Sequence, residues 1–335
     1  MKKAFAILLL AATAACSGGD KAPAPASSGS AAPASGGFTI AVIPKGTTHE
    51  FWQSIRAGAE RAGKEDGATI IWRGPLREDD RDSQVSEVEG FVSRGVSGIV
   101  VAPLDEAALV QPINDAIARK IPVVIFDSGL KSDSYVSFVA TDNLKGGRLG
   151  GERLVESLKG KGKVILLRYA EGHDSTGKRE QGFLDAMKAA PGIEVVSSNQ
   201  YGGADVEGAY KKAESLLSTY KKPDGSLGID GIFTPNESSS FAMMRVLQDN
   251  GWAGKVKFVG FDASPNLVKG LRDGTIDGLV VQDPVKMGYV AVKTMVAHLK
   301  GQPVEKWIDT GVHVATKDNM TTPEMKALLE PDLKK

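Results

Sequence analysis

A single cysteine among 335 residues leaves this chain without an internal disulfide. Nothing after residue 16 runs to eighteen consecutive apolar residues, so no membrane span is expected beyond the N-terminus. Neither charge sign dominates: 41 basic residues balance 41 acidic ones, which argues against a nucleic-acid surface. Catalytic motifs are missing as well. No G-x-S-x-G nucleophile elbow occurs, and His49-Glu50 has no second histidine four residues on, so a zinc-protease helix is excluded. The acidic run Glu78-Asp79-Asp80-Arg81-Asp82 lacks the glycine that a calcium loop needs and reads as the solvated first turn of a helix over 82–94. No nucleophile, metal set or acid–base pair remains, so no enzyme, cofactor or metal is expected.

What is present begins at the N-terminus. Met1-Lys2-Lys3 precede twelve small or apolar residues, 4–15, which suit a signal peptide but are too short for a bilayer core of about 30 Å. Ala14 and Ala15 stand before Cys16, and Ser17-Gly18-Gly19 follow it. This resembles a bacterial lipoprotein signal. Residues 1–15 would be removed and the Cys16 thiol acylated, making it a membrane tether in the periplasm. Residues 16–37, rich in Ala, Pro, Ser and Gly, offer nothing to bury and read as a flexible linker.

From Phe38 onward, Val- and Ile-rich runs alternate with helical patterns. Strands are expected at 38–43, 68–72, 97–102, 121–126, 135–140, 163–168, 193–199, 229–233, 256–261 and 276–281. Helical stripes run through 51–62 and 105–117, and Asp105-Glu106, Ser264-Pro265 and Asp283-Pro284 read as helix starts. The pattern predicts two doubly wound α/β units without a linker between them. Such sheets bind ligands beyond the carboxyl ends of their strands. Those loops carry Lys45, Thr48, His49, Phe51 and Trp52, then Asp127 and Ser128, then His173 to Thr176 with Arg179. Asn236-Glu237-Ser238, Phe261-Asp262 and Gln282 follow. Carboxylates, amides and a guanidinium beside aromatic rings suit a neutral polyol: planar groups pair with vicinal hydroxyls, and ring faces cover C–H surface. Gly146, Gly147, Gly150 and Gly151 sit inside a helical pattern and are read as close helix–sheet packing rather than a dinucleotide loop.

The stretches AVIPKGTTHEFW, IPVVIFDSG, VATDNLKGG, STGKREQGF, IFTPNESS, FVGFDASPN and VVQDP occur in an order and spacing that resemble the ribose-binding branch of the type I periplasmic binding proteins. The resemblance covers nearly all of 38–320. It implies two Rossmann-like lobes, 38–141 plus 283–311 and 142–282 plus 312–335, joined by three crossings near Thr141-Asp142, Gln282-Asp283 and Gly311-Val312. It also implies that Asp127, Arg179, Asn236, Asp262 and Gln282 bind sugar hydroxyls, with Phe51, Trp52 and Phe261 against the ring. Lys45 and His49 stand where ribose binders carry small or amide side chains, and Ser128 replaces an arginine; all three are counted as ligand contacts. Tyr201 is the nearest match to a third aromatic, while Ile43-Pro44-Lys45 and Gly74-Pro75 look more like binders of rhamnose or of a furanone signal. The implied role is a monomeric solute-binding protein that hands a monosaccharide to an ABC permease. A sugar-sensing lipoprotein feeding a chemoreceptor or histidine kinase is the alternative.

Overall fold

A computed structural model describes residues 37–333; the signal segment, Cys16 and nearly all of the linker lie outside the described residues. Ten of the twelve strands among the described residues fall where Val and Ile crowd the sequence, and the twelve form two six-stranded sheets. The first contains β1 (Thr39–Ile43), β2 (Thr69–Trp72), β3 (Gly98–Val101), β4 (Val123–Phe126), β5 (Ser137–Ala140) and, far along the chain, β11 (Trp307–Asp309). The second contains β6 (Gly162–Arg168), β7 (Ile193–Tyr201), β8 (Gly231–Phe233), β9 (Lys257–Phe261), β10 (Gly278–Gln282) and β12 (Val312–Ala315).

The strand orders, β2-β1-β3-β4-β5-β11 and β7-β6-β8-β9-β10-β12, repeat one spatial arrangement. Every neighbouring pair is parallel except β10 with β12. Each sheet separates two cores because successive side chains point to opposite faces. Ile40 and Val42 enter one core while Ala41 and Ile43 enter another, and Val164 and Leu166 alternate with Ile165 and Leu167 in the same way.

Helices α1 (Glu50–Asp66), α2 (Arg81–Arg94) and α3 (Val110–Ala118) belong to the first lobe. The second has α4 (Asn143–Ser157), α5 (Asp174–Lys188), α6 (Val206–Ser218), α7 (Glu237–Asp249) and α8 (Pro265–Asp273). Helix α9 (Pro284–Leu299) returns to the first lobe, and α10 (Pro323–Leu329) closes the chain on the second. The chain thus passes between the sheets three times: between β5 and α4, between β10 and α9, and between β11 and β12. Asp142 and Asp283 cap α4 and α9 at two of these passages.

The crossing helices pack unusually close to their new partners. A Cβ on Gly147 of α4 would lie 1.9 Å from the Arg179 carbonyl of α5, and one on Gly58 of α1 would lie 1.9 Å from the Val285 carbonyl of α9. Of the four glycines in α4, Gly146 and Gly150 pack the helix on the sheet, against Phe261 and Phe233, as expected, whereas Gly147 and Gly151 pack it on α5 instead. One helix start differs from expectation. Asp105 accepts from the N–H groups of Ala107 and Ala108 in a turn, and α3 begins only at Val110. Among the described residues no helix is long and apolar enough to cross a membrane.

Candidate functional site

The carboxyl ends of the two sheets face each other, and buried polar side chains converge between them. Asp127 follows β4 and Asp262 follows β9, the equivalent strand of the other sheet. Both adopt left-handed backbone, φ 60° and φ 70°, a conformation that Asp tolerates better than most residues. Each backbone N–H still donates to the next strand, Asp127 to the Val139 carbonyl at 3.0 Å and Asp262 to the Val280 carbonyl at 2.7 Å. Strained turns of this kind persist where surrounding structure over-determines them, and they cluster at ligand sites.

The two carboxylates are compensated differently. Asp127 Oδ2 lies 2.9 Å from Lys45 Nζ, which also donates to Ser175 Oγ at 2.9 Å across the lobes. Asp262 accepts from Gln282 Nε2 at 2.7 Å and from the Glu237 backbone N–H at 3.0 Å, while the Arg179 guanidinium stands 3.8 Å away. Burial pushes the Asp262 carboxyl above the ordinary range despite Arg179 and Gln282. Arg179 itself is held rigidly: it donates to Asn143 Oδ1 at 2.7 Å and to the Pro235 carbonyl at 3.0 Å, and lies over the Phe261 ring at 4.0 Å.

A second polar cluster surrounds the start of α1. His49 precedes this helix without capping it through its side chain; its Nδ1 instead lies 2.7 Å from Glu78 Oε1. The N–H groups of Glu50 and Phe51 donate to the carboxylate of Glu237, from the other lobe, at 3.3 and 3.0 Å. Burial, outweighing those bonds and the His49 charge, raises Glu237 to about 7. Two buried acceptors among the lining groups, Thr176 Oγ1 and Gln282 Oε1, have no protein partner. The cavity they border is about 20 Å³, room for about one water. A larger cavity of about 410 Å³ opens beside it, sharing Phe51, Asp262 and Gln282 but walled elsewhere chiefly by Val268, Pro284, Leu328 and Leu329. The convergent polar groups belong to the smaller one.

This geometry has relatives. A model of the periplasmic binding protein domain matches residues 40–303. The chain belongs to the type I periplasmic binding protein family. It is 31% identical over 274 residues to a D-ribose/D-allose-binding protein of Pseudomonas aeruginosa, covering 79% of this chain and 83% of that one. Among solved structures, it superposes on a carbohydrate-transporter solute-binding protein from Agrobacterium radiobacter in complex with D-arabinose. That match has TM-score 0.83 and 34% identity, covering 89% of this chain and all (100%) of the other. An ABC-transporter solute-binding protein from Agrobacterium vitis with bound D-fucose gives TM-score 0.82 at 36% identity, covering 87% and 99%.

Most of the expected residues converge on the cavity between the lobes. Lys45, His49, Phe51, Trp52, Asp127, Arg179, Asn236, Asp262 and Gln282 all line the small cavity. Ser128 and Phe261 are not among its lining residues: Ser128 is fully buried with its hydroxyl accepting from the Ser175 N–H, and Phe261 lies beneath Arg179. Trp52 also lines the cavity but is 2% exposed and packed into the core against Phe126. Asn236 caps α7, its Oδ1 accepting from Ser239.

Two expectations need correction. Tyr201 is held on the outer strand β7 beside Arg168, and the cleft aromatic of this lobe is Tyr169, which follows β6. Glu78 is not solvated: it is 7% exposed, stands before α2 and lines the cavity, while Asp80 does the helix capping. Ser175, Thr176 and Glu237 also line the cavity. They lie in strand-end loops that the sequence marks, whereas Glu78 is hidden in a charge run that otherwise faces water.

Proposed function

We propose that this protein is an extracytoplasmic solute-binding protein of an ABC importer, without enzymatic activity, that captures a neutral monosaccharide between its lobes. The observation that carries the reading is the pair of left-handed, strand-end carboxylates, Asp127 and Asp262, aimed from two sheets at one cavity beside Arg179. Their countercharges are already in place, so an uncharged ligand fits better than an acidic sugar. Such a ligand brings hydroxyl donors for Thr176 Oγ1 and Gln282 Oε1, and the Phe51 ring offers a face to its C–H side. The sugars bound by the relatives, a pentose and a deoxyhexose, are of this class.

Closure about the three crossings supplies the signal that a permease reads. Bonds from Lys45 to Ser175, from Phe51 to Glu237 and from Gly129 to Asp174 all join the lobes. A cavity of about 20 Å³ admits a sugar only when those bonds part. The lobes are then 38–141 plus 283–311 and 142–282 plus 312–335, with Gln282 at one hinge. Cys16 is the lipid attachment site, and the protein acts as a tethered monomer. Micromolar binding corresponds to about 8 kcal/mol, enough to outweigh a closing cost of a few kcal/mol. Isothermal titration of the purified protein against pentoses, hexoses and deoxy-sugars tests this reading. One sugar is expected to bind at micromolar Kd or tighter and to shrink the radius of gyration in solution scattering. A chain that binds no sugar in that panel overturns it.

A further inference from the structure

Glu78 differs from Asp127 and Asp262 in carrying three side-chain hydrogen-bond partners on its carboxylate. Oε1 accepts from Trp52 Nε1 at 2.6 Å and lies 2.7 Å from His49 Nδ1, and Oε2 accepts from the Tyr169 hydroxyl at 2.8 Å. A carboxylate so occupied has little capacity left for a ligand hydroxyl, yet it stands in the cavity wall. Glu78 sits in the loop before α2, and its partners come from two other places: the loop and first turn of α1 and, in the other lobe, the end of β6.

We propose that Glu78 is a positioning residue: it fixes His49 as a permanent hydrogen-bond donor toward the bound sugar, and through Tyr169 it ties that arrangement to the closed state. The inference rests on the sugar-binding reading. The chemistry is that of the imidazole ring. With Nδ1 held on Glu78, the nitrogen free to meet a ligand is Nε2. A neutral ring donating from Nδ1 would present a lone pair there, and an imidazolium presents N–H. The groups facing His49 decide between them. Glu78 from the loop before α2, Glu237 from the start of α7 and Asp262 from the end of β9 are all acidic. The cleft cations Lys45 and Arg179 stand beside Asp127 and Asp262 respectively.

Burial alone would lower the His49 pKa, but the Glu78 hydrogen bond and these charges raise it to about 9. In return, although burial opposes it, His49 with Lys45 and Trp52 holds the Glu78 carboxyl far below the usual range. Nε2–H therefore complements an acceptor, a sugar ring or hydroxyl oxygen, throughout the neutral range. Burial and the neighbouring Glu78 keep the Tyr169 hydroxyl protonated. Because Tyr169 belongs to the other lobe, its bond to Glu78 forms when the lobes meet.

The test reads His49 directly. Nitrogen NMR of the full chain labelled at its 4 histidines, with His49→Gln for assignment, follows the imidazole from pH 5.5 to 10. His49 is expected to remain an imidazolium through pH 8, and in Glu78→Gln to titrate at or below 6.5. Affinity for D-arabinose, D-fucose and D-ribose is measured alongside. For whichever binds, Kd in a Glu237→Gln background, which removes the other cleft group that titrates near neutrality, is expected to be flat from pH 5.5 to 8. Glu78→Gln is expected to lose about tenfold over that range, and Tyr169→Phe to release sugar about tenfold faster with an unchanged pH profile. A wild-type His49 that titrates near 6.5, or a Glu78→Gln affinity independent of pH, overturns the proposal. Should Glu78→Gln fail to fold, the wild-type titration alone decides. Should none of the three sugars bind, the affinity arm moves to whichever sugar of the full pentose, hexose and deoxy-sugar panel binds; if none does, the monosaccharide reading is what fails, and the imidazole titration still judges Glu78.

Discussion

In the first lobe the strand-end carboxylate, Asp127, sits 2.9 Å from a lysine of its own lobe; in the second, its counterpart Asp262 stands 3.8 Å from its arginine and leans on an amide, Gln282. Backbone geometry is nearly the same at both, down to the left-handed φ and the bond to the next strand. The repeat of the fold therefore reproduces the turn but not the electrostatics. Lys45 and Asp127 form a tight buried pair, each a condition of the other's burial. Asp262 is less fully compensated, which burial registers by raising its carboxyl, and a less compensated carboxylate gains more from new donors.

That contrast predicts opposite profiles on mutation. Asp127→Ala leaves the Lys45 ammonium buried without its countercharge and is expected to cost about 3–5 kcal/mol of stability. Calorimetric unfolding of the variant measures it, and a melting temperature within a degree of wild type would erase the distinction drawn here. Asp262→Ala is expected to fold with nearly wild-type stability but to bind its sugar about 2–4 kcal/mol more weakly, the loss of a buried charge-assisted bond. Equal stability losses at both positions would show that the lobes are electrostatically alike after all.

The helix pairs sharpen the comparison at a smaller scale. Gly147 on α4 and Gly58 on α1 play equivalent roles, each letting a crossing helix touch the first helix of its new lobe. At Gly147, however, the carbonyl that an added Cβ would strike belongs to Arg179 itself. Gly147→Ala and Gly58→Ala are both expected to destabilise by about 1–3 kcal/mol through overpacking. Only Gly147→Ala should also weaken sugar binding at saturating stability, because it displaces the segment that aims the guanidinium. Binding losses of the same size in both would show that Gly147 does not aim Arg179.

Most of this architecture is legible in the sequence because strands buried on both faces must be continuously apolar, and ten such runs stand out. The two edge strands β11 and β12 were not expected: Trp307–Asp309 and Val312–Ala315 are short and half-exposed, so no long apolar run announces them. Site residues at strand ends were readable for the same reason that the strands were, since the topology places those loops together. Glu78 and Tyr169 were not. Four of the five residues in the run 78–82 face water, and nothing in their order reveals that the first turns inward to meet a tyrosine ninety-one positions on. Only tertiary packing brings that tyrosine, rather than Tyr201, to the cleft.

The lobes also differ in how their contact responds to pH. Glu237 of the second lobe caps α1 of the first, and burial outweighs His49 and the helix N–H groups to raise it from 4.5 to about 7. The folded protein therefore holds this proton more tightly than the unfolded chain. Its contribution is complete below about pH 4.5 and is lost as pH rises through about 7. Allowing for partial exposure, the decline between pH 5 and 8 attributable to Glu237 is expected to be about 1–2 kcal/mol. Glu237→Gln should flatten that part of the stability profile, with the rest of the slope left to Glu180 and Asp262, which burial also raises, and, above about pH 6.5, to His49, raised to about 9. An unchanged slope in the variant would detach Glu237 from the interface.

The smallest effect expected is at the rim. Arg77 of the first lobe reaches Asp205 of the second at 3.0 Å while also pairing with Asp79 at 2.6 Å, and all three side chains are exposed. It joins the lobes as Glu237 does, but in water, where side-chain entropy and screening cancel most of an ion pair's attraction. Its competing partner Asp79 retains the guanidinium when the lobes part, so little changes for Arg77 between open and closed. Arg77→Ala should accordingly alter sugar Kd by less than about fivefold, and that small difference should vanish at high salt. A larger, salt-resistant loss would mean that the rim, and not the buried carboxylates beneath it, holds the lobes together.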